Sequence, residues 1–296
     1  MRYASASPFR QALETRLGAA SGAGRASLVR LRKEVVFERL FARLVAVASE
    51  RWILKGALAL DYRFGDRART TRDVDLAVRG DEASATADLL AAQALDLDDF
   101  FSFAIERTGT LDRLVDGAAV RYHVVAELAG RTFDEFVLDV GFDPPIGVEP
   151  DRLHGPDLLA FAGVDPVVVR ALPLEFAVAE KVHAYTRSYS EGSFASTCVK
   201  DLVDLVLIAG EAALDAQRLR EALDATFGRR ATHPLPARLP RPPADWRVPY
   251  SRMCRDIGLH PDLGAGHDLA ASLVDPVLAG TVVTGSWDPA TRSWHG

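Results

Sequence analysis

Cysteine is almost missing from this 296-residue chain: only Cys198 and Cys254 are present, and neither has a second member of a C-x-x-C pair beside it. That excludes a disulfide framework and a cysteine-based structural zinc site. No apolar run approaches the roughly 20 residues needed to cross a bilayer. The opening residues, MRYASASPFRQAL, lack the apolar centre of a secretory signal. The expectation is a cytoplasmic protein with no membrane partner. A basic excess is lacking too, since 35 Lys and Arg against 41 Asp and Glu leave a formal net charge of −6. A surface coated in basic patches is therefore excluded, although local clusters still decide contacts with nucleic acid. There is no internal repeat and no heptad array. What is there is 48% hydrophobic and 26% charged, the balance of a globular protein with a substantial core. The length suits one large domain or two of ordinary size.

Ser7-Pro8 suggests a helix start, with proline at the first helical position, running to about Leu17 and broken by the Gly/Ser/Ala stretch 18–24. From 26 to 48 the apolar residues Leu28, Leu31, Val35, Val36, Leu40, Leu44 and Val47 recur at helical spacing. Trp52-Ile53-Leu54 reads as a short buried strand. Gly56 to about Phe64 reads as helix, because Ala57, Leu58, Ala59 and Leu60 are strong helix formers. Strands are predicted over 73–78, 100–106, 118–128 and 132–140, with a helix over 83–95 and a hairpin turn at Ala129-Gly130-Arg131. The proline-bearing stretch from 141 to 172 reads as a link between lobes. Beyond it, helices are predicted over 174–189, 199–209, 214–227 and 268–278. The six prolines between His233 and Pro249 imply extended loop. The expected architecture is a bilobed α/β protein, with a mixed-sheet lobe over 1–150 and a mainly helical lobe over 151–296.

The chemistry gathers in WILKGALALDYRFGDRARTTRDVDLAV, residues 52–78. Asp73 and Asp75, two apart on a strand, point the same way, and such a pair suits a hard divalent cation. The Lys55-Gly56-Ala57 turn at a helix start can offer backbone amides to a phosphate. Asp139 lies among apolar neighbours in FVLDVGF. It either joins the Asp73–Asp75 strand as a third carboxylate or pairs with an arginine. Glu180 and Lys181 interrupt an otherwise apolar helix face; Lys181 suits a phosphate, and His183 either a phosphate or an interior hydrogen bond. Asp204 either pairs with Lys200 one turn away or shares a cleft-facing surface with Asp201. Of the arginine groups, Arg30, Arg32, Lys33, Arg39 and Arg43 read as helix-face salt bridges, while Arg67, Arg69 and Arg72 sit beside the proposed site.

Four blocks, in order, carry a family resemblance. They are Lys55-Gly56-Ala57 with Arg69-Thr70-Thr71-Arg72-Asp73-Val74-Asp75; Leu138-Asp139-Val140; Ala179-Glu180-Lys181-Val182-His183-Ala184; and Lys200-Asp201-Leu202-Val203-Asp204-Leu205. Together they resemble the AbiEii/AbiGii-type nucleotidyltransferase toxins, including the mycobacterial MenT toxins, within the polymerase-β-like superfamily. The resemblance implies a polymerase-β-like N-terminal lobe. It implies Asp73, Asp75 and Asp139 as ligands for Mg²⁺ or Mn²⁺. Lys55, Gly56, Ala57, Thr71 and Lys181 would lie at the nucleotide, and Lys181 and Asp204 would complete the catalytic set. Ala57 departs from the second glycine or serine usual in the family's turn, which removes any hydroxyl there. The implied activity is transfer of a nucleoside monophosphate from an NTP to an acceptor, with the 3′ end of tRNA foremost and a cognate antitoxin as partner. A protein or small-molecule acceptor, or a non-catalytic NTP-binding module, are the alternatives.

Overall fold

The computed structural model describes residues 1–23, 26–71, 73–111, 119–142, 144–145, 147–187 and 197–296. The chain divides into two compact units. The first comprises Met1–Asp66 and Thr70–Leu172, and the second Arg67–Arg69 and Pro173–Gly296.

The first unit contains helices α1 (Ala6–Gly22), α2 (Leu28–Ala48), α3 (Gly56–Phe64) and α4 (Glu82–Ala94). Its strands are β1 (Trp52–Lys55), β2 (Asp73–Val78), β3 (Phe101–Leu111), β4 (Ala119–Leu128), β5 (Arg131–Gly141), β6 (Asp151–His154) and β7 (Val168–Ala171). They form one mixed sheet in the order β3-β4-β5-β2-β1-β7-β6. The β2–β5 and β1–β7 pairs are parallel and the other neighbours antiparallel. Period-two alternation decides which side of each strand meets the core. Val74, Leu76 and Val78 of β2, Val120, Tyr122 and Val124 of β4, and Phe136, Leu138 and Val140 of β5 share one apolar cluster with Phe9 and Leu13 of α1, Val35, Val36 and Leu40 of α2, and Leu89 of α4. Asp73, Asp75 and Asp139 occupy the alternate positions and so lie on the opposite face. At the β4–β5 hairpin, Ala129 and Gly130 both have positive φ, 55° and 67°, the turn whose twist suits a two-residue connection.

Several boundaries differ from expectation. Helix α1 begins at Ala6 and continues to Gly22. Pro8 is thus its third residue, tolerated because the first-turn N–H groups have no helical acceptor, and the alanines of 18–22 keep the helix going. Ser27 caps α2 by accepting from the Arg30 N–H at 3.2 Å. The stretch taken as a link between lobes contains β6 and β7, which extend the first unit's sheet and carry that unit to Leu172 rather than to residue 150. Arg39 and Arg43 are buried rather than solvated on α2. Arg43 donates to both oxygens of Asp99 at 2.9 and 2.8 Å, and Arg39 pairs with Glu38 at 2.9 Å. Arg32 and Lys33 also pair, with Glu14 and Asp134.

The second unit is mainly helical: α5 (Leu174–Thr186), α6 (Thr197–Glu211), α7 (Ala216–Arg230), α8 (Arg247–Asp256) and α9 (Leu263–Leu278). A small antiparallel sheet joins β8 (Leu214–Asp215), β9 (Ser286–Asp288) and β10 (Ser293–His295). Helix α6 is its axis, with Val199, Leu202, Val203, Leu205, Val206, Leu207 and Ile208 all buried. The Trp287 indole N–H donates to the carbonyl of Ala209 at 2.8 Å and ties β9 to that helix. Helix α8 was not anticipated, because Pro249 falls within its sequence; as the third residue of the helix it costs no backbone bond. Among the described residues, no helix is long and apolar enough to cross a membrane.

Candidate active site

Gly56 opens α3 directly after β1 with φ +68°, and a Cβ placed there would lie 2.1 Å from Oδ2 of Asp75. Two constraints therefore require glycine: a left-handed backbone, which other residues adopt at a cost, and the close approach of a carboxylate. Ala57, next in the helix, is buried. Thr71 is buried as well, and its hydroxyl donates to the carbonyl of Asp73 at 2.9 Å, bracing the chain as it enters β2.

Register then lines up four charges across four strands. Arg121 of β4 is opposite Asp139 of β5, Asp139 is opposite Asp75 of β2, and Asp75 is opposite Lys55 of β1. In-register neighbours share a face, so the row reads cation, anion, anion, cation. Asp73 stands two residues along β2 on the same face. Asp139 does not stand open in this row. Its Oδ1 accepts from Nε and its Oδ2 from Nη2 of Arg121, each at 2.8 Å. Those hydrogen bonds, with the charges of Asp139, Asp73 and Asp75, raise the guanidinium pKa despite some desolvation.

Among the described residues, no three His, Cys, Asp or Glu side chains are gathered closely enough to hold a metal ion. The expected convergence of Asp73, Asp75 and Asp139 is thus not assembled as a three-ligand cluster, and Asp139 is instead held by Arg121. The chemistry of the Asp73–Asp75 pair still fits Mg²⁺, which commonly uses one or two protein carboxylates and completes its shell with water and substrate phosphates.

A second constellation lies wholly within the helical unit. The ammonium of Lys181 on α5 is 2.7 Å from Oδ2 of Asp204 and 3.1 Å from Oδ1 of Asp201, both on α6. Arg69 grips Asp204 from another direction, Nε to Oδ1 at 2.9 Å and Nη2 to Oδ2 at 3.1 Å. Asp204 is thus paired with Lys181 and Arg69 rather than with Lys200, and its side chain is 1% exposed. Burial alone would raise the Asp204 pKa, but the charges of Lys181 and Arg69 prevail and hold it below the usual carboxylate value. Burial opposes the charge on Lys181, yet Asp204 and then Asp201 overcome this and raise its pKa. Asp201 is the weaker partner: burial pushes its pKa up to about 6, with Lys181 opposing. His183 is buried, and its Nε2 is 2.8 Å from the hydroxyl of Thr232, an exposed residue.

Arg121 escaped the sequence, and Arg69 was placed beside the site without its partner. Arg121 is one polar residue in an alternating strand, and nothing in the spacing points from it to Asp139. Arg69 is close to Asp73 in sequence, but its partner Asp204 is 135 positions away. Arg72 lies outside the described residues.

With both constellations in view, comparison with known proteins settles the family. The model described as "Nucleotidyl transferase AbiEii toxin, Type IV TA system" matches residues 39–273, most of the chain. The chain belongs to the AbiEii nucleotidyltransferase toxin family. An AbiEii toxin is an enzyme of a toxin–antitoxin system, and the family implies an NTP as substrate and an antitoxin as partner. Among solved structures, the chain is similar to MenT4, a nucleotidyltransferase toxin from Mycobacterium tuberculosis, with TM-score 0.52 and 21% identity over 91% of this chain and 99% of that one. At that identity the likeness establishes a shared fold. JHP933 from Helicobacter pylori is more distant, with TM-score 0.46 and 16% identity over 84% of this chain and 93% of that one. A comparison with curated protein sequences returns no match.

Proposed function

We propose that this AbiEii toxin transfers a nucleoside monophosphate from an NTP to the 3′ end of tRNA. The observation that carries the proposal is the β2 carboxylate pair, Asp73 and Asp75, beside a glycine that cannot be replaced without displacing Asp75. The acceptor hydroxyl oxygen forms a bond to the α-phosphorus, the bond from that phosphorus to the bridging oxygen breaks, and pyrophosphate leaves. Asp73 and Asp75 would hold Mg²⁺ or Mn²⁺, which would supply positive charge against the triphosphate. Gly56 and its neighbours Lys55 and Ala57 present the start of α3 to a phosphate, with Thr71 keeping β2 in place. The family resemblance assigns the steadying of triphosphate charge to Lys181, and Asp204 fixes the Lys181 ammonium. Asp139, once free of Arg121, orients the acceptor hydroxyl or takes its proton.

Transfer to tRNA rests on the family resemblance, since some relatives add pyrimidine nucleotides to tRNA 3′ ends and so block aminoacylation. The test is incubation of the purified protein with bulk tRNA and each labelled NTP in turn, with and without Mg²⁺. The expected result is metal-dependent label in the RNA. Label in protein or in a small molecule would move the acceptor, and no incorporation under any condition would contradict nucleotidyl transfer.

A further inference from the structure

Arg121 is bonded like a structural residue yet exposed like a working one. Its guanidinium occupies both oxygens of Asp139, but its side chain is 42% exposed. The interior pair Arg43–Asp99 is 1% and 2% exposed, and Asp204, gripped by Arg69, is 1% exposed. Asp139 is 15% exposed, so water reaches the pair chiefly from the guanidinium side, and parting it costs less than parting an interior pair such as Arg43–Asp99. Register also places Arg121 at the outer end of the carboxylate row, within reach of the charges of Asp73 and Asp75 as well as Asp139.

We propose that Arg121 is a displaceable counter-ion. It holds the Asp139 carboxylate while the row carries no cation, yields it when a divalent cation binds at Asp73 and Asp75, and then turns its guanidinium to the phosphate oxygens of the NTP. This rests on the proposed function, because it takes the Asp pair as the metal site. The physical logic is competition. Asp139 stands in register with Asp75 on the adjacent strand, where like charges repel one another, and a bidentate guanidinium relieves that repulsion for Asp139. A divalent cation does so more strongly, and the freed guanidinium has the fork geometry that phosphate oxygens accept.

The test is calorimetric titration of the full chain with Mn²⁺ alone, and then with a non-hydrolysable NTP analogue in the presence of Mn²⁺. It compares the wild type with Arg121→Gln, Arg121→Lys, Lys55→Gln and Asp75→Asn. With its competitor gone, Arg121→Gln is expected to bind Mn²⁺ at least about threefold more tightly than the wild type, the lower end for a partly exposed pair. The same variant should bind the analogue about tenfold more weakly, as one charge-assisted contact predicts, and Arg121→Lys should recover part of that loss. Lys55→Gln removes a charge from the other end of the row and should tighten Mn²⁺ less than Arg121→Gln does. Unchanged or weaker Mn²⁺ binding by Arg121→Gln, or equal tightening by Lys55→Gln, would overturn the assignment. If the wild type binds Mn²⁺ and Asp75→Asn does not, such a failure concerns Arg121 alone. If the wild type binds no Mn²⁺ with or without the analogue, the metal role of the Asp pair falls with it.

Discussion

Gly56 and Asp75 constrain each other, and that coupling makes a sharp prediction. Gly56→Ala must either abandon φ +68° or push Asp75 aside, since its Cβ would lie 2.1 Å from a carboxylate oxygen. The left-handed strain alone is about 1 kcal/mol. Urea unfolding should show at least that loss, and transfer should fall by more than about tenfold because one proposed metal ligand moves. Wild-type transfer by this variant would contradict a role for the Asp75 position. Asp204 makes a second prediction at this scale. Asp204→Ala strands Lys181 with Asp201 and leaves the Arg69 fork without its carboxylate, and breaking a buried pair costs about 3 kcal/mol or more. Asp201→Ala, which removes the weaker partner, should cost less. Unfolding curves of the two variants check the order, and the reverse order would mean that Asp204 is not the hub. Gly56, Asp73 and Asp75 were legible in the sequence because their partners are near in the chain. Arg121 and the pairing of Arg69 with Asp204 were not, because each depends on a carboxylate on another element.

At the scale of elements, alternation and helical spacing carried the long segments. Strands β2, β4 and β5 and helix α2 fall close to where the apolar periodicity puts them, α3 where its helix formers do, and Ala129-Gly130 forms the expected hairpin turn. Apart from α8, disguised by Pro249, the pieces that went unseen are short. Strands β6 and β7 have four residues each and β8 only two, too few for a period to show, and their strand state comes from pairing partners elsewhere in the chain. Burial of Arg39 and Arg43 was hidden for the same reason: Asp99, which satisfies Arg43, lies 56 positions away. This network ties α2 to the start of β3, where the Phe101 carbonyl also accepts from Arg43 at 2.7 Å. Asp99→Ala should therefore destabilise the first unit by about 3–5 kcal/mol, read from its urea midpoint. A loss within about 0.5 kcal/mol, as for an ordinary surface substitution, would show that the network carries no such weight.

For the whole molecule, two buried carboxylates give stability an uncommon pH dependence. Burial pushes Asp61 up to about 7 against the pull of Arg30, and Asp201 up to about 6 against that of Lys181. Between the ordinary value of 3.8 and these values, the folded chain holds protons that the unfolded chain has released. The stability these groups provide is thus greatest at low pH and is lost as pH rises through about 6 to 7. Asp204, held low by Lys181 and Arg69, acts oppositely, and its contribution disappears only as pH falls below the usual carboxylate range. Urea midpoints should fall between pH 5 and pH 8, and Asp61→Asn should flatten that slope; a slope unchanged in Asp61→Asn would contradict the assignment. The central claim concerns the carboxylate pair on β2, and it is tested most directly by following labelled nucleotide into tRNA with wild type and Asp75→Asn side by side, in Mg²⁺ and in chelator. The account predicts Mg²⁺-dependent label from the wild type and a loss of at least about 100-fold from the variant, the scale of removing a transition-state electrostatic contact. Equal incorporation by the two proteins, or none by the wild type with any NTP, would contradict it.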